Sequence, residues 1–448
     1  MANKEIRCIY IMQLDEVRKD HISVYGYHRK QKNIESIAKD GFAFADMISG
    51  SSYTGVATPV IHTGMIAPHT GVRDPGGVMT VPRLQEYLKE AGFATQGCMS
   101  QSLAGSGIGM HQGFDVFIEP TDPTAPDAWG EGAKHVRELG IQVDETFKAK
   151  PVGKRYVEEN LEFIRKNKDK RFYLFNQFYE THTLSEHYLL KSGRIKEGVY
   201  PENAYYDAKI KLADEEVIGS VIEALREYGL YDNALIIITS DHGTNLRQQS
   251  WPLGDYIYDP LVLGDVANSH SSLYDVDLRV PFIIKAPNLP QKAIGKVIEG
   301  QVRSVDITTT VLDLVGIPKE RIKPFMDGQS LVPSVENGGG HGARAYAETL
   351  WSAYGMGARQ MLREDNWKYI RYLSSMYEEF FDLQKDPKEQ VNLIDRLKYH
   401  APKWLKSLRE EMNDYLRAEP KGIVRAEMPE DEKKAIEERL RRLGYVSD

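Results

Sequence analysis

Three short apolar runs, far apart in the chain, each end in residues that bind cations or carry protons. Ile6–Leu14 (IRCIYIMQL) stops at Asp15-Glu16, and Arg171–Phe178 (RFYLFNQF) stops at Tyr179-Glu180-Thr181-His182. Ala234–Thr239 (ALIIIT) stops at Ser240-Asp241-His242-Gly243. Runs of this length, rich in β-branched and aromatic residues, read as buried strands. Helical patterns lie between them. Gln31–Asp40 spaces Ile34, Ile37 and Ala38 helically before Gly41, Val81–Gly92 closes on glycine, and Tyr205–Gly229 carries Ile210, Ala213, Val217, Val221, Ile222 and Leu225. Val280–Lys285 adds a strand and Ser304–Val315 a helix. This alternation predicts an α/β fold with a mixed, mostly parallel sheet sandwiched by helices. In such sheets functional groups gather at the carboxyl ends of the strands, so three ligand-bearing ends point to one site.

After about Gly340 the pattern changes. Tyr346–Thr349, Gln360–Arg363, Trp367–Leu373 and Glu379–Leu383 are strand candidates without long intervening helices, which predicts a small antiparallel C-terminal subdomain. From Pro402 onward the chain reads as a charged helical tail, with helices over Lys403–Leu416 and Asp431–Leu443. The Gly-rich stretch Glu336–Gly342 is the expected linker. The chain therefore divides into a catalytic unit (1–340), the small subdomain (341–400) and the tail (401–448).

Composition narrows the function. Hydrophobic residues at 41% and charged residues at 27% fit a globular enzyme and exclude a disordered chain. A balance of 57 Lys+Arg against 65 Asp+Glu, formally −8, argues against a nucleic-acid partner. Two cysteines, Cys8 and Cys98, exclude a disulfide framework or a Cys-rich zinc site. The apolar stretches fall short of the roughly 20 residues that span a bilayer. Lys4, Glu5, Arg7 and Asp15 interrupt the N-terminal run, so it does not read as a signal peptide. The expectation is a cytoplasmic protein without a membrane partner, its oligomeric state open.

Asp15, Glu16, Asp241 and His242 form a mixed oxygen and nitrogen donor set suited to a divalent cation. A single strand-end Asp more often opens a turn, but two acidic ends in one chain, one followed by His-Gly, outweigh that role. Ser51–Gly64 is a hydroxyl-rich loop leading into a short helical stretch. N-capping is the ordinary role of any one of these hydroxyls. Beside a divalent ion a hydroxyl can instead lose its proton and attack an ester. His182 and His270 are candidates for binding anionic oxygens or protonating a leaving group, with a structural role as the alternative. Thr58 and Asn176 are weaker candidates for the substrate shell. Two long loops, 118–152 and 246–268, contain Trp129, Trp251, Tyr256 and Tyr258 and read equally as a lid or as surface.

These residues carry a resemblance almost end to end. Leu14–His21 with Tyr25-Gly26 is similar to the opening L-D-D-x-R-x-D-H…Y-G of the sulfatase-like branch of the alkaline phosphatase superfamily. Thr54 stands ten residues before Gly64 of Thr63-Gly64, the family's spacing between its nucleophile and a T-G pair. Tyr179–His182 resembles D-P-H-x-P, Ile238–Gly243 resembles F-T-S-D-H-G, and Leu273–Pro281 resembles L-Y-E-G-G-x-R-V-P. Further matches run through Val305-Asp306, Leu312–Ile317, Asp327–Leu331, Trp367–Tyr369, Asp382-Leu383, Asp386-Pro387, Asn392-Leu393 and Leu440–Tyr445.

The resemblance implies an alkaline-phosphatase-like fold, a metal held by Asp15, Glu16, Asp241 and His242, and Thr54 as the nucleophile beside it. The departures are informative. Where sulfatases carry C-x-P-S-R, with Cys or Ser oxidised to formylglycine, this chain has Thr54, Val56, Ala57 and Thr58. Threonine cannot become that aldehyde. The lysine of the family's G-K-W-H segment is missing at Gly97–Gln101, and His270 stands where a second lysine is usual. A threonine nucleophile resembles the phosphodiesterase, phosphonate monoester hydrolase and phosphoethanolamine-transferase branches. The expected function is hydrolysis of phosphate diesters or phosphonate monoesters, small-molecule substrates, through a phospho-threonine. The alternatives are a sulfatase working without formylglycine, with Ser51 or Ser52 as further nucleophile candidates, or phosphoryl transfer to an alcohol. One divalent ion is expected, Mn2+ or Zn2+ before Ca2+ or Mg2+, with a second left open.

Overall fold

The computed structural model describes residues 5–74, 76–100, 104–119, 152–183, 204–246, 272–322, 326–350 and 357–421. Its larger sheet contains β1 (Cys8–Leu14), β2 (Phe42–Ile48), β3 (Ala94–Met99), β4 (Val116–Ile118), β5 (Phe172–Phe178), β6 (Ala234–Ser240), β7 (Arg279–Val280), β8 (Phe282–Lys285) and β9 (Val297–Arg303). The order is β4-β3-β5-β1-β6-β8-β2-β7, with β9 alongside β2. From β4 to β6 every neighbour is parallel. β8 runs antiparallel to both β6 and β2. This is the mixed, mostly parallel sheet that the alternating pattern predicts.

β1 is central and buried on both faces, which is why it reads as a continuous apolar run. Its side chains alternate between two cores. Ile9 and Ile11 join Phe175 and Ile237 on one face, while Tyr10 and Met12 join Leu174, Ile236 and Ile238 on the other. Helices cover both. The longer ones are α1 (Lys32–Asp40), α2 (Thr54–Thr63), α3 (Leu84–Glu90), α4 (Val152–Asn167), α5 (Ala204–Leu212), α6 (Gly219–Glu227) and α7 (Asp306–Val315). α2, α3 and α7 supply Ile61, Leu84, Leu88, Ile307 and Val311 to the first core. α1, α4, α5 and α6 supply Ile37, Ile164, Ile210 and Ile222 to the second.

Two expected elements are divided. The helix anticipated over Tyr205–Gly229 contains a π-helical segment, Ala213–Ile218, between α5 and α6. There Asp214 accepts hydrogen bonds from the backbone N–H groups of Asn33 and Ile34, capping α1. The strand anticipated over Val280–Lys285 breaks at Pro281, which has no N–H for a ladder. β9 carries no clear run of its own, because Glu299, Gly300 and Gln301 interrupt it.

The second sheet, β10 (Ala345–Thr349), β11 (Arg359–Glu364), β12 (Trp367–Tyr372) and β13 (Glu378–Asp382), is antiparallel throughout. α8 (Ile394–His400) and α9 (Pro402–Arg417) pack on it through Leu397, Leu405, Leu408 and Met412. The same cluster includes Tyr53, Val56 and Val60, so this sheet buttresses α2. The helix expected over Asp431–Leu443 lies outside the described residues. Because Ile11 is fully buried in the central strand, Ile11→Ala is expected to lower unfolding stability by about 2–5 kcal/mol in denaturant titration.

Candidate active site

The strand register brings the first residues of the site together. Leu14 pairs with Phe178 on one side and Ser240 on the other, so Asp15 and Asp241 leave the sheet at the same level. Two backbone bonds lock this: Asp15 N–H to the Phe178 carbonyl (3.1 Å) and Asp241 N–H to the Leu14 carbonyl (3.2 Å). Ser240 Oγ pins the crossing by donating toward the Leu14 and His242 carbonyls (both 2.8 Å) and accepting from Val17 N–H (2.9 Å). Asp15, Asp241 and His242 thereby offer ligand atoms within 4.8 Å of one another, all buried.

Each donor atom is aimed. Asp241 Oδ1 accepts from the backbone N–H groups of His242 (2.8 Å) and Glu16 (3.3 Å), which turns Oδ2 toward His242 Nε2 (3.8 Å). His242 Nδ1 lies 2.8 Å from the Gly243 carbonyl. A carbonyl only accepts, so Nδ1 carries the proton and Nε2 presents its lone pair to the cluster. Asp15 Oδ2 accepts from Gln177 Nε2 at 2.8 Å, and Oδ1 lies 3.8 Å from His242 Nε2. Glu16 adopts a left-handed backbone, φ 58°, an arrangement that costs a non-glycine residue about 1–2 kcal/mol. Its carboxylate sits 3.4 Å from His182 Nε2. Gly243 is required by close approach: a Cβ there would stand 2.2 Å from the Val276 carbonyl oxygen.

Thr54 is the first residue of α2, 5% exposed, with Oγ1 3.2 Å from His242 Nε2 and 3.4 Å from Asp15 Oδ2. The helix start places a partial positive charge beside this oxygen. Other hydroxyls are engaged elsewhere: Ser51 Oγ donates to the Glu348 carbonyl (2.7 Å), and Thr58 Oγ1 accepts from Gln13 Nε2 (2.7 Å). Ser52 is buried two residues before Thr54. Asn176 turns away, pairing its amide with Asn160 on α4 (2.9 Å), and Gln177 takes the position at the cluster. His270 lies outside the described residues, as does most of the two long loops.

Burial and mutual repulsion dominate the electrostatics. Desolvation, then Asp241 and Glu16, push the Asp15 carboxyl well above the usual carboxylate range. Desolvation raises Glu16 in the same direction. Burial lowers His242 to about 4, keeping it neutral. Two buried carboxylates and a neutral imidazole with an inward lone pair, with Glu16 near enough to repel both, are a donor set for a hard or borderline divalent cation.

A family model described as Sulfatase matches residues 8–317, and one described as N-sulphoglucosamine sulphohydrolase, C-terminal, matches residues 269–418. The chain belongs to the sulfatase family. It is 31% identical over 205 residues to a choline-sulfatase of Rhizobium meliloti (strain 1021), covering 45% of this chain and 34% of that protein. It is 26% identical over 234 residues to the multifunctional alkaline phosphatase superfamily protein PehA of Trinickia caryophylli, covering 47% and 41%. The matched stretches thus span about a third to two fifths of these relatives' lengths. In fold it is similar to the phosphonate monoester hydrolase of Agrobacterium radiobacter, with TM-score 0.67, 18% identity and coverage of 91% and 96%. Ps i-CgsB in complex with k-i-k-neocarrahexaose is similar too, at TM-score 0.68, 17% identity and coverage of 99% and 100%. Sulfatase-family enzymes are hydrolases that bind a divalent metal, and the donors converging here fit one.

Sequence reasoning missed Gln13, Gln177, Tyr206 and Lys209. Tyr206 OH donates to the Glu16 carbonyl (2.6 Å) and accepts from Arg18 N–H (2.8 Å), fixing the chain just past the strand end. The run Phe172–Phe178 carries its two amides side by side, and nothing in it tells which face meets the cluster.

Two outcomes follow from this geometry. A carboxyl raised in the folded state binds its proton more tightly there, so its contribution to stability is lost as pH rises from ordinary carboxylate values through the raised one. In chelator, Asp15→Asn is therefore expected to gain melting temperature relative to the parent as pH is raised from about 4 upward. A pH-independent difference would refute this. Gly243→Ala, which forces the loop away from Val276, is expected to weaken divalent-ion binding by about 10–100-fold in calorimetric titration while the fold persists.

Proposed function

We propose that this sulfatase-family protein is a metal-dependent hydrolase of phosphonate monoesters or phosphate diesters that works through a covalent phospho-threonine at Thr54. The observation that carries the reading is Thr54 Oγ1 at the head of α2, within hydrogen-bond reach of His242 Nε2 and Asp15 Oδ2. Asp15, Asp241 and His242, with Glu16 beside them, would hold the ion. When bound, a divalent ion supplies Lewis-acid polarisation of a substrate oxygen and lowers the cost of deprotonating a nearby hydroxyl.

The chain's own groups account for the rest. The Thr54 proton leaves along one of its two hydrogen bonds, and Oγ forms a bond to phosphorus as the ester oxygen departs with its electron pair. His182, partly exposed with 21% of its side chain accessible, stands at the rim with Nε2 against Glu16. There it can deliver a proton to the departing oxygen. Water then attacks phosphorus and releases Thr54. Among the described residues Asp15, Glu16 and Asp241, with Asp277 acting on Glu16 beyond them, outweigh the buried ammonium of Lys209. That balance favours a singly charged ester over a dianionic phosphate monoester.

A sulfate ester is also singly charged, and the curated relatives named as sulfatases favour it as a second reading. The side chain at position 54 weighs the other way, because a sulfated threonine must be released by attack at sulfur. The deciding experiment is a rate panel of nitrophenyl esters on protein reloaded with Mn2+, Zn2+ or Ca2+. We expect the diester or phosphonate to turn over faster than the sulfate and the phosphate monoester. Thr54→Ala should lower kcat by about a thousandfold or more, and acid-quenched enzyme should yield a peptide phosphorylated at Thr54. A preference for sulfate, or full activity in Thr54→Ala, would overturn the proposal.

A further inference from the structure

Lys209 is 1% exposed, on α5. Its Nζ donates to the His182 carbonyl at 2.7 Å, and its charge acts on both Glu16 and Asp15. Tyr205 and Tyr206 wall it in, with Nζ 5.3 and 5.9 Å from their ring centres. A lysine enclosed in this way does not reach a substrate at the rim, yet a buried ammonium persists only where opposite charge compensates it. The charges can be counted. Asp15, Glu16 and Asp241 bring three negative charges and His242 none. Asp277, which also acts on Glu16, faces Arg18 and Arg359 as well. Lys209 offsets one of these negative charges within the protein, leaving less for a divalent ion to balance.

We propose that Lys209 is a built-in counter-charge of the metal centre: a positioning residue whose ammonium, held on the His182 carbonyl, offsets the negative charge of Glu16 and Asp15 and so sets how strongly the cluster draws a divalent ion. Neither lysine expected from the family resemblance stands at its place, and this cation comes instead from a different segment, the inner face of α5. The inference rests on the reading of Asp15, Glu16, Asp241 and His242 as a metal centre.

Two substitutions separate charge from tethering. Lys209→Gln keeps a donor for the His182 carbonyl without the charge, and Lys209→Arg keeps the charge. Chelator-stripped full-length protein is titrated calorimetrically with Mn2+ alone. Removing a positive charge beside the ligands should tighten Mn2+ binding by about tenfold or more in Lys209→Gln. Lys209→Arg should match the parent. In the loaded enzyme the uncancelled negative charge should raise KM for an anionic ester more than it lowers kcat. Binding in Lys209→Gln that is unchanged or weaker would overturn the inference, leaving Lys209 as a tether. If that variant folds only when Mn2+ is supplied, the ion is replacing the lost cation and the inference stands. If it fails to fold even with excess Mn2+ while Lys209→Arg folds, the charge serves the fold rather than the metal centre, and the inference falls. A parent that binds no Mn2+ would remove the metal reading itself, a result distinct from all of these.

Discussion

Everything at the site depends on the register of three parallel strands. β1 lies between β5 and β6, and the pairing of Leu14 with Phe178 and Ser240 makes all three strands end at one level. A shift of one residue in either pairing would turn Asp15 or Asp241 to the opposite face and exchange the two cores, since the side-chain period is two. Burial on both faces makes that shift prohibitive. The hydrophobic energy of Ile9, Ile11, Ile236 and Ile238 therefore holds carboxylates together that would otherwise repel one another. The apolar core and the polar site are one construction, with the strain at Glu16 as a local cost carried by it.

The second sheet contributes in a less direct way. Its cluster of Tyr346, Leu362, Tyr369 and Leu405 packs beneath Tyr53, Val56 and Val60, and Ser51 Oγ donates to the Glu348 carbonyl. These contacts fix the start of α2, and so the place of Thr54. A buried ionic network binds the two sheets. Asp275 takes Arg363 at 3.1 Å as well as Lys368, and Lys368 also meets Glu389 at 2.7 Å. Such a network specifies geometry more than it adds stability, because desolvation of its charges offsets most of their attraction. The C-terminal sheet is thus part of how Thr54 is positioned.

What was legible in the sequence was what one-dimensional periodicity can carry. The continuous apolar runs before Asp15 and Asp241 announce central strands, and hard donors at both ends announce a shared site. The four strands after Ala345 were equally readable, because each is a short run bounded by turns. Where two elements interrupt a pattern, periodicity fails. The π-helical segment at Ala213–Ile218 continues the apolar spacing, so its extra residue is invisible until Asp214 is seen to cap α1. Adjacent amides at Asn176 and Gln177 are ambiguous because a strand buried on both faces gives no sign of which face meets the ligands. Lys209 escaped notice for a related reason. A lysine on a helix reads as solvated, and only the packing of α5 against the strand ends encloses it.

The substitution of threonine for the family's oxidisable residue has a physical consequence beyond the loss of an aldehyde. The Cβ of threonine carries a methyl group, so its oxidation would yield a ketone rather than the formylglycine aldehyde. In the proposed reaction the hydroxyl therefore acts as it stands. A secondary alcohol is a weak nucleophile near neutral pH, and its activation has to come from its surroundings. Those surroundings are present: a helix start behind Oγ1, a neutral imidazole whose lone pair faces it, and carboxylates poised to hold a cation within reach. The same carboxylates make the pocket hostile to a second negative charge on the substrate. In the proposed reaction nucleophile and charge balance are thus coupled: the donor set that would activate Thr54 would also restrict the ester it attacks to one whose own charge is low.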